Sequence, residues 1–315
     1  MTEHTTEWDP NHLPDASGKT FVVTGGNAGI GYFISEQLAS AGATVIIASR
    51  NEMKARLAIQ AVTRNVPHAR LDFISLDLAS LESAGAAGEQ IGKLDRVDGL
   101  ILNAAALAQN QRKATSDGYE FVLGTNHYGN ARLAAAALPH LARTAGARVV
   151  TMGSVAQRVG RISLHDREQR ERKYRGFRTY GTAKLAQMLF ALELDRRLRD
   201  SSLSMMSLIA HPGGAVGALT PDRAPALMHT PAQRRGAVLM RPFVQGKDRA
   251  AWPAVRAALD PDVNGGQIWG PGSATGSRPP RLALMHGAVN DRKLAKELWQ
   301  RTTDELNLVW DAMSD

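Results

Sequence analysis

Tyr180 and Lys184 are the residues of this 315-residue chain whose types and spacing most directly predict chemistry. They are four residues apart in a stretch with helical character, RTYGTAKLAQMLFALEL, so both side chains should project from one face of a helix. A free tyrosine has a pKa of about 10, and an ammonium group about 4 Å away supplies roughly 4 kcal/mol at an effective dielectric of 20. That energy is enough to bring the pKa of the phenol close to neutrality. The pair is therefore predicted to act as a general acid and base.

Ser154 adds a hydroxyl group to this pair. It ends the apolar run RVVTMGS, which has the composition of a buried strand. Because parallel α/β sheets bind ligands beyond the carboxyl ends of their strands, this hydroxyl is placed to hold a substrate oxygen near Tyr180. The alternative role is that of an ordinary turn residue, since serine is common in turns.

A glycine-rich turn follows the first predicted strand. The run FVVTG continues into GNAGIG, and a helical stretch comes next. Glycines here allow a tight turn and a close approach to a pyrophosphate, whose charge the helix N-terminus attracts. Many loops are rich in glycine, but the strand before and the helix after favour dinucleotide binding. The predicted contacts are Gly25, Asn27, Gly29, Ile30 and Gly31.

Ser49 and Arg50 end the second predicted strand, TVIIAS, where an NAD site would place a carboxylate. That carboxylate holds the 2′-hydroxyl of the adenosine ribose and would repel a 2′-phosphate. An arginine can instead form a charge-assisted hydrogen bond with such a phosphate. The sequence therefore favours NADP (NADPH) over NAD, with a solvent-exposed strand cap as the alternative role for Arg50.

Two further strand ends supply candidate cofactor contacts. Asp77 is suited to accept a hydrogen bond from the adenine amino group, with the backbone of Leu78 beside it. Alternatively, Asp77 caps the helix that begins near Ser80. Asn103 and Ala104 end the run GLILNA, where small residues let backbone and cofactor meet closely. A plain strand-end turn is the competing interpretation of that segment.

The elements that must position these residues form a repeating pattern. Short apolar runs alternate with helix-length stretches, which is typical of stacked βαβ units and predicts an α/β fold with a doubly wound parallel sheet, the Rossmann fold. We expect a tail over residues 1–17 and a single domain over 18–315, with a flap near 155–179 and a substrate-covering loop near 213–248. The last elements should be a helix from about Arg249 to Leu259, a short strand at GQIWG and two helices from about Asn290 onward.

Composition removes several classes of function. The chain has no cysteine, which excludes disulfides, thiolate metal ligands and a cysteine nucleophile, and we expect no metal site. No window approaches the roughly 18 uninterrupted apolar residues of a membrane span. The N-terminal segment is polar and unlike a signal peptide, which predicts a cytoplasmic protein.

The formal net charge of +8 raises the question of a nucleic-acid partner. Residues 155–179 contain eight lysines or arginines against three acids. This segment lacks the repeated aromatic residues of a stacking platform, and no zinc-finger or basic-zipper pattern occurs. We therefore expect no nucleic-acid partner. A solvated flap, or attraction to an anionic cofactor or membrane surface, accounts better for the charge.

Together these motifs resemble the short-chain dehydrogenase/reductase family, in its typical branch. The resemblance runs from about residue 18 through nearly the whole chain. It rests on the glycine turn, Asn103-Ala104-Ala105, Asn126-His127-Tyr128-Gly129, Ser154, Tyr180-x-x-x-Lys184 and His211-Pro212-Gly213. Within the family the chain is most similar to retinol-dehydrogenase-like bacterial oxidoreductases. The shared features are the Asn126-His127 pair, the 26-residue step from Ser154 to Tyr180, and the closing LWQRTTDEL helix.

The resemblance implies a role for each catalytic position. Tyr180 would exchange a proton with the substrate oxygen, and Ser154 would position that oxygen. Lys184 would also hold the nicotinamide ribose, and Asn126 would support a proton-relay water. The reaction would be a reversible hydride transfer between the nicotinamide and a carbonyl or alcohol.

The chain departs from the family pattern after the sixth predicted strand. Pro212 and Gly213 are expected cofactor contacts, but where family members usually place a threonine next, this chain has the run Gly214-Ala215-Val216-Gly217-Ala218 ahead of Thr220. The residue that contacts the nicotinamide amide there is left open. Ala105-Ala106 stands where alanine-glycine is common, and Gly153 replaces the first of two common serines. None of these departures removes a catalytic group.

The substrate and the subunit state are less constrained. The resemblance implies an apolar, small-molecule carbonyl or alcohol, and the Met-, Pro- and Arg-rich segment 221–243 suggests a mobile apolar cover, or else a surface excursion. Apolar residues on more than one face of the helices near 126–141 and 180–198 suggest a homodimer. Two other functions fit the fold: a catalytically silent nucleotide sensor or scaffold, and a carbon-carbon double-bond reductase. Related reductases of the second kind rely on a cysteine, which this chain lacks.

Overall fold

The computed structural model describes residues 8–163, 173–285, 287–310 and 313. Over these residues the chain forms an eight-stranded sheet in the order β3-β2-β1-β4-β5-β6-β7-β8. The strands are β1 (Thr20–Thr24), β2 (Thr44–Ser49), β3 (Arg70–Ser75), β4 (Gly99–Leu102), β5 (Ala147–Met152), β6 (Met205–Ala210), β7 (Ile268–Gly270) and β8 (Arg281–Leu282). Strands β1 to β7 pair in parallel and β8 is antiparallel at the edge. The predicted doubly wound parallel sheet is confirmed.

Helices connect the strands in the described part of the chain. They are α1 (Gly29–Ser40), α2 (Glu52–Asn65), α3 (Leu81–Ile91), α4 (Phe121–Leu123), α5 (Gly129–Leu141), α6 (Gly176–Asp200), α7 (Pro231–Val238), α8 (Lys247–Ala250), α9 (Trp252–Leu259) and α10 (Arg292–Leu306). A π-helical turn, Gly124–Tyr128, joins α4 to α5, and a 3-10 turn, Val155–Val159, follows β5.

The strands read as continuous apolar runs because both faces of the sheet are buried. Neighbouring residues of β1 show this directly: Val23 packs with α1, α2 and α9, while Val22 packs on the opposite face with α3, α5 and α6. Both valines are fully buried. Chain order reverses between β1 and β4, so the carboxyl ends of these two strands open onto a crevice where such sheets bind ligands.

The C-terminal third differs in detail from the sequence prediction. The segment 213–248, predicted to be an irregular substrate-covering loop, contains a 3-10 turn at Gly217–Leu219 and the helix α7. Helix α7 begins with Pro231 at its first position and has a capping box on Thr230. One α-helix, α10, stands where two were expected in the described residues, preceded by a 3-10 turn at Ala288–Asn290. Part of the expected tail, residues 1–7, and of the flap, 164–172, lies outside the described residues.

The apolar residues that suggested a homodimer are accounted for within one chain. Leu133 and Leu138 of α5 pack in the core cluster shared with α3, and Leu185 and Met188 of α6 pack in the cluster shared with α10. All four are buried without a second subunit. They therefore provide no evidence for a subunit interface. Among the described residues, no helix combines the length and apolar character that a membrane crossing requires.

Candidate active site

Tyr180 and Ser154 meet because two glycines let their elements touch. Helix α6 lies against the 3-10 turn after β5 so closely that a methyl group on Gly181 would be 2.5 Å from the carbonyl oxygen of Ala156, and one on Gly160 would overlap the carbonyl oxygen of Gly181. This backbone contact brings the second turn of α6 beside the end of β5. Ser154 and Tyr180, predicted to act together, are hydrogen-bonded through their side chains.

The phenol of Tyr180 is less acidic than the sequence predicted. Burial raises its pKa above the ordinary value, and the hydrogen bond with Ser154 works in the opposite direction without offsetting the burial. Tyr180 is half-buried, and its hydroxyl is protonated at neutral pH. The expected acidification by a neighbouring ammonium is therefore not found in this structure.

The reason lies in the direction that Lys184 takes. Its side chain is buried, and Nζ donates hydrogen bonds to the carbonyl oxygen of Met152, at 2.7 Å, and to Oε1 of Gln187, at 3.0 Å. Burial also lowers the pKa of Lys184 to about 7, so the amine carries only part of a positive charge at neutral pH. The amine of Lys184 is therefore hydrogen-bonded to the last residue of β5, Met152, although the lysine is only one helical turn from Tyr180.

Asn126 lies in the π-helical turn and is fully buried. Its side chain forms a two-way bridge with the backbone of Ala106: Oδ1 accepts from the amide N–H at 2.6 Å, and Nδ2 donates to the carbonyl oxygen at 3.0 Å. Asn130 donates to the backbone carbonyl of Asn126 at 3.0 Å. Asn126 therefore fixes the segment after β4 to the element that precedes α5. Its expected role toward a proton-relay water stays a prediction.

The glycine turn at the end of β1 lies against Asn103, the residue that follows β4. Gly25 and Gly29 have φ values of +67° and +61°, which favour glycine. A methyl group on Gly31 would overlap the carbonyl oxygen of Gly25 and lie 2.5 Å from Nδ2 of Asn103. The turn has no space for a side chain at this position. Asn27 and Ile30, the other predicted contacts here, are half-buried at the same turn.

Thr24, which the sequence did not single out, joins the two strand ends. Its Oγ1 accepts hydrogen bonds from the amide groups of Asn103 and Ala104, both at 2.9 Å, and its carbonyl oxygen accepts one from Nδ2 of Asn103 at 2.8 Å. The side chain of Asn103 therefore braces the glycine turn. A threonine before a glycine turn is the one sequence signal that could have identified this bridge.

Ser49 and Arg50 lie at the end of β2, next to the glycine turn. Ser49 is buried, and within the described residues its Oγ has no hydrogen-bond partner. Arg50 is exposed and makes no ion pair with any residue that the structure describes. A buried polar atom without a partner costs free energy, so such a group signals a ligand or water at this point.

Asp77 and Leu78, the predicted adenine contacts after β3, differ in their surroundings. Asp77 accepts a hydrogen bond from the amide of Ala79 at 2.9 Å, whereas the N-cap of α3 is Ser80, whose side chain binds the amide of Ser83 at 3.2 Å. The alternative interpretation of Asp77 as that N-cap is therefore wrong. Leu78 is buried in the core and is not freely exposed at the crevice. An adenine contact by either residue stays a prediction.

Pro212 and Gly213 follow β6 in a turn that His211 and Gln245 stabilise. Gly213 has a φ of +65° and donates from its amide to Nδ1 of His211 at 3.3 Å. Burial lowers the pKa of His211 to about 4, which keeps the ring neutral and able to accept. Nε2 of Gln245 donates to the carbonyl oxygen of Pro212 at 2.7 Å. No sequence signal identified Gln245, because 33 residues separate it from its partner.

Thr220, the next threonine after this turn, follows the 3-10 turn Gly217–Leu219. It is buried, and its hydroxyl donates to the carbonyl oxygen of Gly217 at 2.5 Å. The hydroxyl is thus occupied within the loop.

Comparisons with known proteins agree with this architecture. A family model described as short chain dehydrogenase matches residues 19–215. Short chain dehydrogenase/reductase dpchH of Colletotrichum higginsianum (strain IMI 349063) is 37% identical over 229 residues, which are 66% of this chain and 57% of that protein. Retinol dehydrogenase 12 of Mus musculus is 28% identical over 294 residues, 93% of this chain and 88% of that protein. A solved structure of an uncharacterized protein from Mycobacterium paratuberculosis is 29% identical, with a TM-score of 0.77, and the match covers 97% of this chain and 99% of that one.

A parallel sheet with a glycine turn at its switch point, and a tyrosine, a serine and a lysine at the next strand end, defines a dinucleotide-dependent oxidoreductase. The chain belongs to the short-chain dehydrogenase family and is similar to its retinol dehydrogenases. It is an oxidoreductase that uses a pyridine nucleotide and acts on CH–OH or C=O groups. The predictions of family, fold and enzyme class are confirmed.

The residues of the crevice fit a dinucleotide. The first turn of α1 is closed to side chains at Gly31, and the N-cap residue of the helix, Ala28, offers no side chain to its amides. Within the described residues no side chain caps those amides, so they can bind a phosphate. The partnerless hydroxyl of Ser49 lies at the end of the neighbouring strand. Phosphates would therefore be held at the glycine turn and the adenosine ribose near Ser49.

Proposed function

We propose that this protein catalyses the reversible transfer of a hydride between NADP and a lipophilic carbonyl or alcohol, with Tyr180 as the proton-transferring group. The observation that carries the proposal is the hydrogen-bonded pair of Tyr180 and Ser154 at the end of β5. The nicotinamide, when bound, supplies or accepts the hydride. The remaining steps belong to side chains of this chain.

Tyr180 gives its phenolic proton to the carbonyl oxygen as the alcohol forms, and takes it back in the reverse reaction. A pKa raised by burial keeps that proton on the phenol at neutral pH, which suits the reductive direction. Ser154, already hydrogen-bonded to the phenol, directs the substrate oxygen toward it. Lys184 and Asn126 hold the ends of β5 and β4 in place, through Met152 and Ala106.

The choice of NADP rests on the end of β2. Ser49 and Arg50 follow the strand where an NAD site would have a carboxylate. The exposed guanidinium of Arg50 has no partner among the described residues, and it can form a charge-assisted, bidentate contact with a 2′-phosphate. The hydroxyl of Ser49 beside it is a second donor.

A lipophilic substrate is supported by the loop after β6. Met228, Leu239, Met240 and Phe243 have 62%, 82%, 48% and 75% of their surfaces exposed. Gln245 and Gly214 join this loop to the turn after β6, since their backbones are hydrogen-bonded at 3.0 Å. Exposed apolar residues next to a catalytic crevice mark a surface for an apolar ligand. The similarity to a retinol dehydrogenase points in the same direction.

The cofactor assignment is tested by measuring steady-state kinetics with NADPH and NADH against aldehydes and ketones of increasing chain length. We expect faster turnover with NADPH and a preference reversed toward NADH in Arg50→Asp. The matched control is Arg56→Asp, because Arg56 is exposed on α2 and pairs only with Glu52 of the same helix among the described residues. Equal rates with both cofactors in the wild-type protein would disprove the NADP assignment.

A further inference from the structure

The loop over residues 213–248 ends on the helix that follows the glycine turn. Nε2 of Gln37 in α1 donates a hydrogen bond to the carbonyl oxygen of Asp248 at 2.8 Å. Arg223, near the other end of the loop, forms an ion pair with Glu36 of the same helix. The loop that covers the substrate side is therefore anchored on the cofactor-binding helix.

Because Asp248 is bound to α1, the neighbouring Lys247 lies close to the glycine turn. A methyl group placed on Gly29 would lie 3.8 Å from Nζ of Lys247, the nearest described atom outside the turn and its helix. The stem of the lysine passes Gly217, where a methyl group would lie 3.4 Å from Nζ and 3.6 Å from Cε. The amino group thus sits between the turn and the loop, and Gly217 leaves space for its side chain.

The ammonium of Lys247 lies at the N-terminus of α1, which is an unfavourable place for a cation unless an anion lies between the two. The N-terminus of a helix carries partial positive charge, and cations are disfavoured there. Helix α1 has no acidic residue in its first turn and no side-chain cap. The backbone carbonyl of Lys247 accepts a hydrogen bond from the amide of Ala251, but its ammonium makes no hydrogen bond or ion pair with the residues that the structure describes. An anion between the ammonium and the amides of α1 satisfies both positive groups.

We infer that Lys247 is a pyrophosphate-binding residue, delivered by the substrate-covering loop, that fastens this loop over the bound dinucleotide. The inference rests on the dinucleotide site of the proposed function but not on the choice between NADP and NAD. Both cofactors contain the pyrophosphate that Lys247 would bind, whereas only NADP has the 2′-phosphate that Arg50 would bind. Lys247 is half-buried, so its ammonium can reach the phosphates without being desolvated completely.

The test measures dissociation constants by titration calorimetry for NADP⁺, NAD⁺ and adenosine 2′-phosphate, which lacks the pyrophosphate. We expect Lys247→Met to weaken NADP⁺ and NAD⁺ by the same factor, at least tenfold, and adenosine 2′-phosphate by less than twofold. Lys247→Arg should retain most of the affinity. The matched control is Arg249→Met. Arg249 is exposed and lies two residues after Lys247, so this variant also removes one positive charge, and each dissociation constant should change by less than twofold.

A second readout concerns the loop. Bound NADP⁺ should slow amide hydrogen exchange over residues 213–248 in the wild-type protein and should do so less in Lys247→Met. Unchanged affinities for both dinucleotides in Lys247→Met, with an unchanged melting temperature, would overturn the inference. Equal weakening of adenosine 2′-phosphate would overturn it as well, since it would place the ammonium elsewhere. If the wild-type protein showed no preference for NADP but Lys247→Met still weakened both dinucleotides, only the proposed choice of cofactor would be contradicted.

Discussion

Nζ of Lys184 lies 2.7 Å from the carbonyl oxygen of Met152 and donates a hydrogen bond to it. The contact joins α6 to the last residue of β5, and Gln187, one turn along the same helix, accepts a second hydrogen bond from the amine. Because the group is buried, its pKa is lowered to about 7. The lysine therefore affects the stability of the fold as well as the catalytic site.

Replacing Lys184 by methionine should stabilise the protein most at low pH. In an unfolded chain this amine has a pKa of about 10.4. Between that value and the folded value of about 7, the unfolded chain binds more protons, so stability rises with pH. The cost of charging the buried amine is complete below about pH 7 and disappears above the unfolded pKa. Thermal unfolding at pH 6 and pH 9 should show a larger gain for Lys184→Met at pH 6.

Lys296→Met is the control for this experiment. Lys296 is exposed on α10, so its removal should shift the unfolding temperature by a similar small amount at both pH values. A gain in Lys184→Met that does not depend on pH would show that the amine is not desolvated in the folded protein. Loss of the two hydrogen bonds lowers the gain at every pH but does not change its slope.

Tyr180→Phe should lower turnover by about 10²-fold or more, the usual contribution of a general acid or base, while nucleotide affinity stays within about twofold. The measurement is kcat with a saturating cofactor, together with the Kd for the cofactor. Tyr174→Phe is the matched control, because Tyr174 is a half-buried phenol near the start of α6 whose hydroxyl donates to Glu120. A Tyr180→Phe variant with the full rate would disprove the assigned acid.

The pH dependence should follow the raised pKa of Tyr180. Oxidation of an alcohol needs the deprotonated phenol, so kcat/KM for oxidation should rise with pH, whereas reduction uses the protonated form and should stay level until the phenol ionises. Ser154→Ala should move the midpoint of the oxidation profile to higher pH, because the hydrogen bond from Ser154 lowers this pKa. A midpoint that moves downward, or not at all, would contradict that role for the serine.

The fold, and the meeting of Tyr180 with Ser154, could be predicted from the sequence because each has a strong local signal. Strands buried on both faces are continuous apolar runs, and the four-residue step from Tyr180 to Lys184 fixes both side chains to one side of a helix. The orientation of Lys184 could not be read, because it depends on the carbonyl oxygen of Met152, 32 residues away. Lys247 was missed for the same reason, since the fold alone brings it beside Gly29.

Gly31→Ala should damage the nucleotide site. A methyl group there would overlap the carbonyl oxygen of Gly25 and press on Asn103, so the turn must shift, at a cost of about 2 kcal/mol of stability. We expect a lower unfolding temperature and at least tenfold weaker cofactor binding. Gly236→Ala is the control: Gly236 lies in α7, and a methyl group there meets no atom of the described residues within 4 Å. That variant should be unchanged or slightly more stable.

The ion pair between Arg223 and Glu36 should be the main support of the loop over residues 213–248. Nε and Nη2 of Arg223 donate to the two carboxylate oxygens at 2.6 and 2.9 Å, and the hydroxyl of Tyr32 donates to the same carboxylate at 3.1 Å. Glu36 is buried, so Arg223→Met leaves a carboxylate with one neutral donor in a poorly solvated place. We expect a loss of about 3 kcal/mol in the free energy of unfolding.

A double-mutant cycle separates this ion pair from a general effect on the loop. Adding Glu36→Gln to Arg223→Met removes the unpaired charge, so the double variant should be more stable than Arg223→Met alone, with a coupling of about 1 kcal/mol or more. Arg235→Met, in the exposed face of α7, makes no ion pair within the described residues and should change stability by less than about 0.5 kcal/mol. If the double variant were no more stable than Arg223→Met, the carboxylate would not be desolvated, and the loop would be held by its backbone contacts instead.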